Sequence, residues 1–346
     1  MKKLPLLTIL SLIPLFSCHS DLETLPKSEN QYVLTSEKDL ANEQYSSKIE
    51  DFYDSGTEGT FEGKSGIEIY YKIFSQENEA KAAIMISSGR TEAALKYKEM
   101  IFDLYHNGYA VFIHDHRGQG LSGRMTEDPL MGYVDSFQYF IDDMKTFYEA
   151  YMKPGNYEHC FLLAHSMGGA IGMSYLEQHP GDFDAAGFIS PMLGLKAPTC
   201  ALVKILSGKN PKYAPGQHAC EDYAFEGNQV TGSEIRFNRA MAAFEAEPRA
   251  KLGGASLQWA HRSCRHMRKI FADIELIETP FILFSAENEQ VVDPNSHAKF
   301  IKKALKSGKK CSAYRVNHAQ HEILMEKDEA RMNAINAVLD FFSNYR

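Results

Sequence analysis

The stretch 160–173 constrains the fold of this chain more than any other part of it. A short apolar run ends at Ser166, and a run of small and apolar residues that favours a helix begins after two glycines. This order predicts a strand, a sharp turn and a helix. A serine on such a turn has a strained backbone, which requires small flanking residues. Ala164, Gly168 and Gly169 meet that requirement.

The predicted turn suits a nucleophile. It lifts the Ser166 hydroxyl clear of the sheet, and the Met167 amide at the helix N-terminus points towards the group that the hydroxyl attacks. We therefore predict Ser166 as nucleophile and the Met167 amide as one oxyanion donor. The alanine at position 164 departs from the G-x-S-x-G pattern by one methyl group. The alternative is an ordinary helix N-cap serine.

The amino-acid composition limits the classes of protein to which this chain can belong. The chain has 346 residues, of which 44% are hydrophobic, so it can bury a large core. Its net charge of −8, with no long basic block, argues against nucleic acid as a partner.

The N-terminus predicts export. Residues 1–18 combine a positive start with an apolar tract that is too short to span a membrane. Their end, Leu-Phe-Ser-Cys, resembles the lipobox of bacterial lipoproteins, so Cys18 is the predicted lipid attachment site. We expect an exported lipoprotein anchored to a membrane surface that faces the periplasm or the exterior, with ordinary secretion as the alternative. Residues 19–55 are polar without clear periodicity and predict a tether.

The remaining chain predicts an α/β fold. Buried strands alternate with amphipathic helices, a pattern typical of a mostly parallel, doubly wound sheet. We assign residues 56–191 to the first part of this core and 278–346 to the second. Between them, residues 192–277 lose the alternation and predict an inserted, mainly helical cap.

A second motif favours another class of protein. Gly118, Gly120 and Gly123 match G-x-G-x-x-G, which in dinucleotide-binding proteins opens a helix at the third glycine. Here a charged segment with Pro129 follows instead, so a nucleotide site is the weaker alternative.

Cysteine usage leaves two arrangements open. Cys160 lies in the apolar run before Ser166 and is predicted to be a buried thiol. Cys200 and Cys220 share one polar segment and either form a bridge in an oxidising compartment or remain shielded thiols.

A serine nucleophile needs a histidine and an acid that follow it in the chain. We favour Asp293 as the acid because it follows two valines that could anchor its loop, with Glu287 and Glu289 as alternatives. We favour His321 over His318 because a helix-like segment follows it.

Two further expectations concern residues near Ser166. His165 is too close in the turn to accept the Ser166 proton and is expected to pack beside it. A second oxyanion donor belongs in the loop after an earlier strand, and we predict the Arg90 amide because Gly89 frees the backbone there.

Five separated motifs resemble α/β-hydrolases and, within them, the lysophospholipase L2 family, which is related to the monoacylglycerol lipases. The motifs are Ser88-Gly89-Arg90-Thr91-Glu92, Asp115-His116-Arg117-Gly118-Gln119-Gly120, Ala164-His165-Ser166-Met167-Gly168-Gly169, Glu289-Gln290-Val291-Val292-Asp293 and His321-Glu322-Ile323-Leu324. The resemblance implies an α/β-hydrolase fold with a cap, and a triad of Ser166, Asp293 and His321. It implies hydrolysis of the acyl ester of lysophospholipids, with no metal or organic cofactor.

Other functions stay open on sequence alone. A monoacylglycerol lipase or general carboxylesterase, a serine aminopeptidase of the same fold, and a lipid-binding lipoprotein without turnover are the alternatives. Apolar cap residues are predicted either to wall an acyl channel or to pack the cap onto the core; they are Met192, Leu193, Leu195, Leu202, Val203, Ile205 and Leu206.

Overall fold

The described residues form one eight-stranded sheet. The structure is a computed structural model that describes residues 22–76, 82–219 and 224–346. Its strands are β1 (Thr57–Glu62), β2 (Glu68–Phe74), β3 (Ala82–Ser87), β4 (Tyr109–His114), β5 (His159–His165), β6 (Ala185–Ile189), β7 (Phe281–Ala286) and β8 (Cys311–Val316).

The sheet is mostly parallel. Its strand order is β1-β2-β4-β3-β5-β6-β7-β8, and only the β1–β2 and β2–β4 pairs are antiparallel. Every residue of β3, β4, β6 and β7 is buried. Such strands are typical of parallel sheets that are covered on both faces, which is why they are apolar throughout rather than alternating. The predicted α/β core is therefore confirmed.

Helices cover both faces of the sheet. They are α1 (Glu37–Leu40), α2 (Glu43–Ser55), α3 (Lys98–His106), α4 (Gln138–Phe147), α5 (Ser166–Gln178), α6 (Thr199–Leu206), α7 (Glu234–Ala246), α8 (Leu257–Ala272), α9 (Pro294–Lys306) and α10 (Asp328–Ser343). One hydrophobic layer contains side chains of α4, α5, α8 and α9. The other contains side chains of α3 and α10. The sheet is thus doubly wound, as predicted.

The predicted tether is wrong for residues 22–55. The Leu25 amide donates to the Arg315 carbonyl at 2.8 Å, so this segment lies along the edge strand β8. The Thr35 hydroxyl donates to the buried Asp103 carboxylate at 2.6 Å, and Ile49 of α2 is fully buried. Apolar side chains of this segment are buried against the folded core, and this burial stabilises an ordered conformation. A flexible tether would have no such burial.

The predicted export signal, with Cys18, lies outside the described residues. In the part of the chain that the structure describes, no helix is long and apolar enough to cross a membrane.

The predicted insertion lies between β6 and β7 and contributes α6, α7 and α8. Its last helix packs against α5, and the Ser174 hydroxyl lies 2.7 Å from Nε2 of His266. The end of the insertion therefore belongs to the helical layer of the core. Cys200 of α6 forms a disulfide with Cys264 of α8, which corrects the proposed pairing with Cys220, a residue outside the described ranges. Cys160 is a free, partly buried cysteine.

The glycine-rich loop after β4 forms a compact turn. Gly118 and Gly120 have positive φ angles of 78° and 56°, and the Gly118 amide donates to the Gly123 carbonyl at 3.0 Å. The carboxylate of Asp115 accepts the Leu121 amide at 2.7 Å. The next helix, α4, begins only at Gln138, so no helix N-terminus meets the third glycine as a dinucleotide site requires.

Candidate active site

Ser166 occupies the sharp turn between β5 and α5. Its φ angle is +50°, a backbone conformation that residues other than glycine rarely adopt. A Cβ on Gly168 would lie 2.1 Å from the Ser87 carbonyl oxygen, and one on Gly169 would lie 2.6 Å from Cβ of Pro191. Gly168 therefore lets α5 start directly against the end of β3, and Gly169 lets it pack against Pro191 after β6. The predicted strand, turn and helix are confirmed.

His321 is the histidine that reaches Ser166. Its Nε2 atom lies 2.8 Å from the Ser166 hydroxyl oxygen, and both residues are buried. The side chain of His318 is 87% exposed, and its backbone amide donates to the Glu287 carboxylate at 2.8 Å. Of the two candidates, the fold therefore brings His321 to the nucleophile.

The acid beside His321 is Glu289, so the prediction of Asp293 is wrong. Oε2 of Glu289 lies 2.7 Å from Nδ1 of His321. Asp293 instead begins α9 as its N-cap, where its carboxylate accepts the Asn295 amide at 3.1 Å. Glu289 is the third residue of the loop after β7 and reaches His321. Asp293 lies four residues further along, where it already caps α9.

The Glu289 carboxylate is fixed in place and ionised. Its Oε1 atom accepts the amides of Val291 at 2.8 Å and Val292 at 3.1 Å. Burial acts to raise the pKa of Glu289, but the hydrogen bond and charge of His321, with these amides, lower it to about 2. An ionised acceptor is thereby held at Nδ1, which leaves Nε2 to accept a proton from Ser166.

A buried carboxylate, Glu92, organises the back of the site, and sequence reasoning had given it no role. Its Oε2 atom accepts hydrogen bonds from the Gly89 amide and from the Tyr97 hydroxyl, the latter at 2.6 Å. The same atom lies 3.1 Å from Nδ1 of His165. Nε2 of His165 lies 3.3 Å from the His321 carbonyl oxygen. His165 thus packs beside the nucleophile, as predicted, and connects Glu92 to the backbone of His321.

A buried cation balances this carboxylate. Lys96 Nζ donates to Glu92 at 2.8 Å and to Glu322 at 2.6 Å. Burial opposes ionisation, yet the charges of Lys96 and His165 hold the pKa of Glu92 well below its usual range. Because Glu322 follows His321 directly, the network joins the loop after β3 to the histidine loop.

The predicted oxyanion donors lie on the two turns that this network supports. Met167 is in the first turn of α5, where amides have no acceptor within the helix. The loop that carries Arg90 is fixed through its neighbour, since the Gly89 carbonyl accepts the Gln119 amide group at 2.7 Å. The Arg90 guanidinium donates to the Gly253 carbonyl at 2.5 Å. The donor roles of the Met167 and Arg90 amides stay predictions.

Other histidines near the site have local partners. His297 Nε2 lies 2.7 Å from the Pro191 carbonyl, and His116 Nε2 lies 3.2 Å from the Ser87 hydroxyl. Within the described ranges, no three His, Cys, Asp or Glu side chains are arranged to hold a metal ion.

Sequence comparison identifies relatives along most of the chain. Residues 78–328 match the family model described as serine aminopeptidase, S33. Lysophospholipase L2 of Escherichia coli K12 is 33% identical over 308 residues, which cover 86% of this chain and 90% of that protein. Monoglyceride lipase of Mus musculus is 22% identical over 271 residues, which cover 78% of this chain and 86% of that protein.

Structural comparison finds the same architecture. A soluble variant of monoglyceride lipase from Saccharomyces cerevisiae, solved with a substrate analogue, superposes with a TM-score of 0.65 at 19% identity. The match covers 84% of this chain and 97% of the yeast chain. The predicted α/β-hydrolase fold is confirmed.

Proposed function

Because the chain belongs to the family described as serine aminopeptidase, S33, and is similar to lysophospholipase L2 over most of its length, we propose that it is a serine ester hydrolase that cleaves the acyl ester of lysophospholipids. The observation that carries this proposal is the continuous contact from the Ser166 hydroxyl through the His321 ring to the Glu289 carboxylate. The substrate class follows from the lysophospholipase relatives. The triad is Ser166, His321 and Glu289.

The proposed reaction proceeds through an acyl-enzyme. His321 Nε2 takes the Ser166 proton as the oxygen attacks the ester carbonyl, and Glu289 stabilises the imidazolium through Nδ1–H. The Met167 and Arg90 amides donate to the oxyanion. The imidazolium then protonates the leaving glycerophospho-alcohol. Water, deprotonated by the same imidazole, attacks the acyl-enzyme, and the imidazolium returns that proton to the Ser166 oxygen as the ester bond breaks and the fatty acid leaves.

A substrate panel tests this proposal. Wild type and Ser166→Ala are compared on lysophosphatidylcholine, lysophosphatidylethanolamine, monoolein and an aminoacyl arylamide. We expect the wild type to cleave lysophospholipids faster than the other substrates, and the variant to lose this activity. Equal rates on monoolein and lysophosphatidylcholine would favour a broader lipase, and preferential arylamide cleavage would favour an aminopeptidase. A lipid-binding protein without turnover would cleave none of the four.

We propose in addition that the chain is exported and acylated on Cys18. The positive and apolar start, with cysteine at position 18, supports export. The Cys200–Cys264 disulfide supports an oxidising compartment, because such bonds are rare in the cytosol. Intact mass spectrometry of the mature protein tests this: a diacylated or triacylated N-terminal Cys18 is expected. A mature N-terminus at another residue, or one without lipid, would contradict it.

A further inference from the structure

Two segments of this acidic protein contain no acidic residue. Residues 192–219 carry four lysines and residues 248–272 carry six lysines and arginines, and neither contains Asp or Glu, although the whole chain has a net charge of −8. The first segment includes α6 and the second includes α8. Together the two segments therefore carry ten lysines and arginines with no acidic residue of their own.

The fold brings these two segments together. The Cys200–Cys264 disulfide joins α6 to α8, and the Ser207 hydroxyl lies 2.9 Å from Nδ1 of His261. Burial and then the positive charges around it lower the pKa of His261, and those charges come from both helices. They are Arg265, Arg262, Arg268 and Lys204. Of these, Lys204, Arg265 and Arg268 are exposed and form no salt bridge with a carboxylate of the described residues.

The same helix exposes large apolar side chains. Leu202, Ile205 and Leu206 are 49%, 78% and 49% exposed, while Val203 is buried and anchors the helix. The spacing of the three exposed residues places them on one side of α6. These three side chains are open to solvent, so they neither wall an enclosed acyl channel nor pack the cap onto the core, which were the two sequence predictions for them. Contiguous exposed apolar residues beside polar ones are typical of an interaction surface.

This surface is connected to the nucleophile turn. The Met192 amide donates to the Ser166 carbonyl at 2.8 Å, and the chain reaches the start of α6 at Thr199. α6 follows β6, whose carboxyl end lies at the same edge of the sheet as that of β5. A partner bound to α6 would therefore lie on the side of the molecule where the triad is located.

We propose that α6 and the exposed face of α8 form a docking surface for an anionic phospholipid bilayer. Leu202, Ile205 and Leu206 insert among the lipid head groups, and the basic side chains contact lipid phosphates; they are Lys204, Arg265 and Arg268. An amphipathic helix with apolar and basic residues is suited to lie in a membrane interface. A second copy of the chain is disfavoured, because a symmetric contact would bring these like charges together.

Vesicle co-sedimentation tests the docking surface independently of catalysis. The full chain carries Cys18→Ala to remove the predicted acylation site and Ser166→Ala to prevent lipid turnover. We expect binding to mixed phosphatidylglycerol and phosphatidylcholine vesicles, and binding at least about ten-fold weaker to phosphatidylcholine alone. Ile205→Glu and the double variant R265E/R268E should each weaken binding to the anionic vesicles by about ten-fold or more.

Helix α9 provides matched controls. Leu305 is 56% exposed, and Lys299 and Lys302 are exposed. Leu305→Glu and K299E/K302E make the same chemical changes elsewhere and should alter binding by less than about two-fold. Absence of binding to anionic vesicles, or equal losses in the α6–α8 and α9 variants, would overturn the proposal. So would a dimer that Ile205→Glu dissociates without any vesicle binding, since it would assign this face to a second copy.

The docking test and the test of the proposed function fail in different ways. If docking fails but the enzyme cleaves dispersed lysophospholipids, the proposed function stands and the surface is wrong. If docking succeeds while the substrate panel is not cleaved, the surface stands and the proposed reaction is wrong.

Discussion

Replacement of Glu289 by Gln is expected to reduce kcat strongly. The lowered pKa of Glu289, from 4.5 to about 2, corresponds to about 3 kcal/mol of preference for the ionised carboxylate. The Val291 and Val292 amides contribute to this preference, so the contact with His321 accounts for only part of it. Loss of the contact with His321 alone predicts that kcat falls roughly 10- to 100-fold. A glutamine amide that donates to Nδ1 would also favour the wrong tautomer, which extends the loss towards ~10⁴-fold.

Asp293→Asn is the matched comparison for this prediction. Asparagine caps helices as well as aspartate does, so α9 should retain its N-cap and the variant should fold normally. We expect its kcat to lie within about three-fold of wild type, since position 293 does not contact His321 in the described geometry. Glu289→Asp keeps the charge but shortens the side chain, and should retain more activity than Glu289→Gln.

The assay is steady-state hydrolysis of lysophosphatidylcholine and of a soluble nitrophenyl ester, with thermal unfolding by circular dichroism as the check on folding. The reasoning is refuted if folded Glu289→Gln keeps more than about a tenth of wild-type kcat. A loss in Asp293→Asn as large as that in Glu289→Gln would restore Asp293 as the acid.

Three further predictions concern the framework around the site. Gly168→Ala should lower the free energy of unfolding by about 3 kcal/mol or more, because its Cβ would lie 2.1 Å from a backbone oxygen. Gly208→Ala, with no atom within 4 Å, should have little effect, and urea titration compares the two. Burial raises the pKa of Glu177 from 4.5 to about 8, so the folded chain keeps a proton that the unfolded chain releases. The contribution of Glu177 to stability should therefore fall as pH rises from about 4.5 to 8, and the difference in free energy of unfolding between wild type and Glu177→Gln should change by about 2–4 kcal/mol over this range; equal pH profiles of the two proteins in urea titrations would contradict it. The free energy of unfolding of the double variant C200S/C264S should be about 2–4 kcal/mol lower than that of the oxidised wild type. It should equal that of wild type reduced with dithiothreitol. No difference from the oxidised wild type would show that the bond does not form.

The sheet and the nucleophile turn were predictable because their signals are local. The buried part of β5 reads as a continuous apolar run, and the close approach of α5 to β3 requires glycine at position 168. His321 was also predicted, since it follows the last strand and precedes a buried segment. Such features depend on residues that are neighbours in the sequence.

The acid was mispredicted although a local signal for the alternative exists. Aspartate directly before proline at the first helical position is a typical start of a helix, and Asp293-Pro294 has that form. If Asp293 is recognised as a helix cap, the earlier carboxylates, including Glu289, remain as the candidates for the acid that contacts His321. What the sequence does not encode locally is the path of the loop, which depends on the Val291 and Val292 amides folding back onto Glu289.

The N-terminal segment was misread because α1 is short and the residues that bury both of its helices are distant in the chain. Ser36 and Asp39 form a capping box at the start of α1, which is a detectable helix signal. The burial of Leu40 and Ile49, however, depends on Phe102 of α3, more than fifty positions away in the chain. The Cys200–Cys264 disulfide was missed for the same reason, because its residues are separated by 64 positions. Long-range packing of this kind leaves little trace in local composition.

The most direct measurement of the central claim is site mapping of a fluorophosphonate probe by peptide mass spectrometry. The account predicts one adduct, on Ser166, that is absent from Ser166→Ala, strongly reduced in His321→Ala, and competed away by lysophosphatidylcholine. A folded wild-type protein that remains unlabelled, or one labelled at another residue with unchanged lysophospholipid hydrolysis in Ser166→Ala, would contradict it.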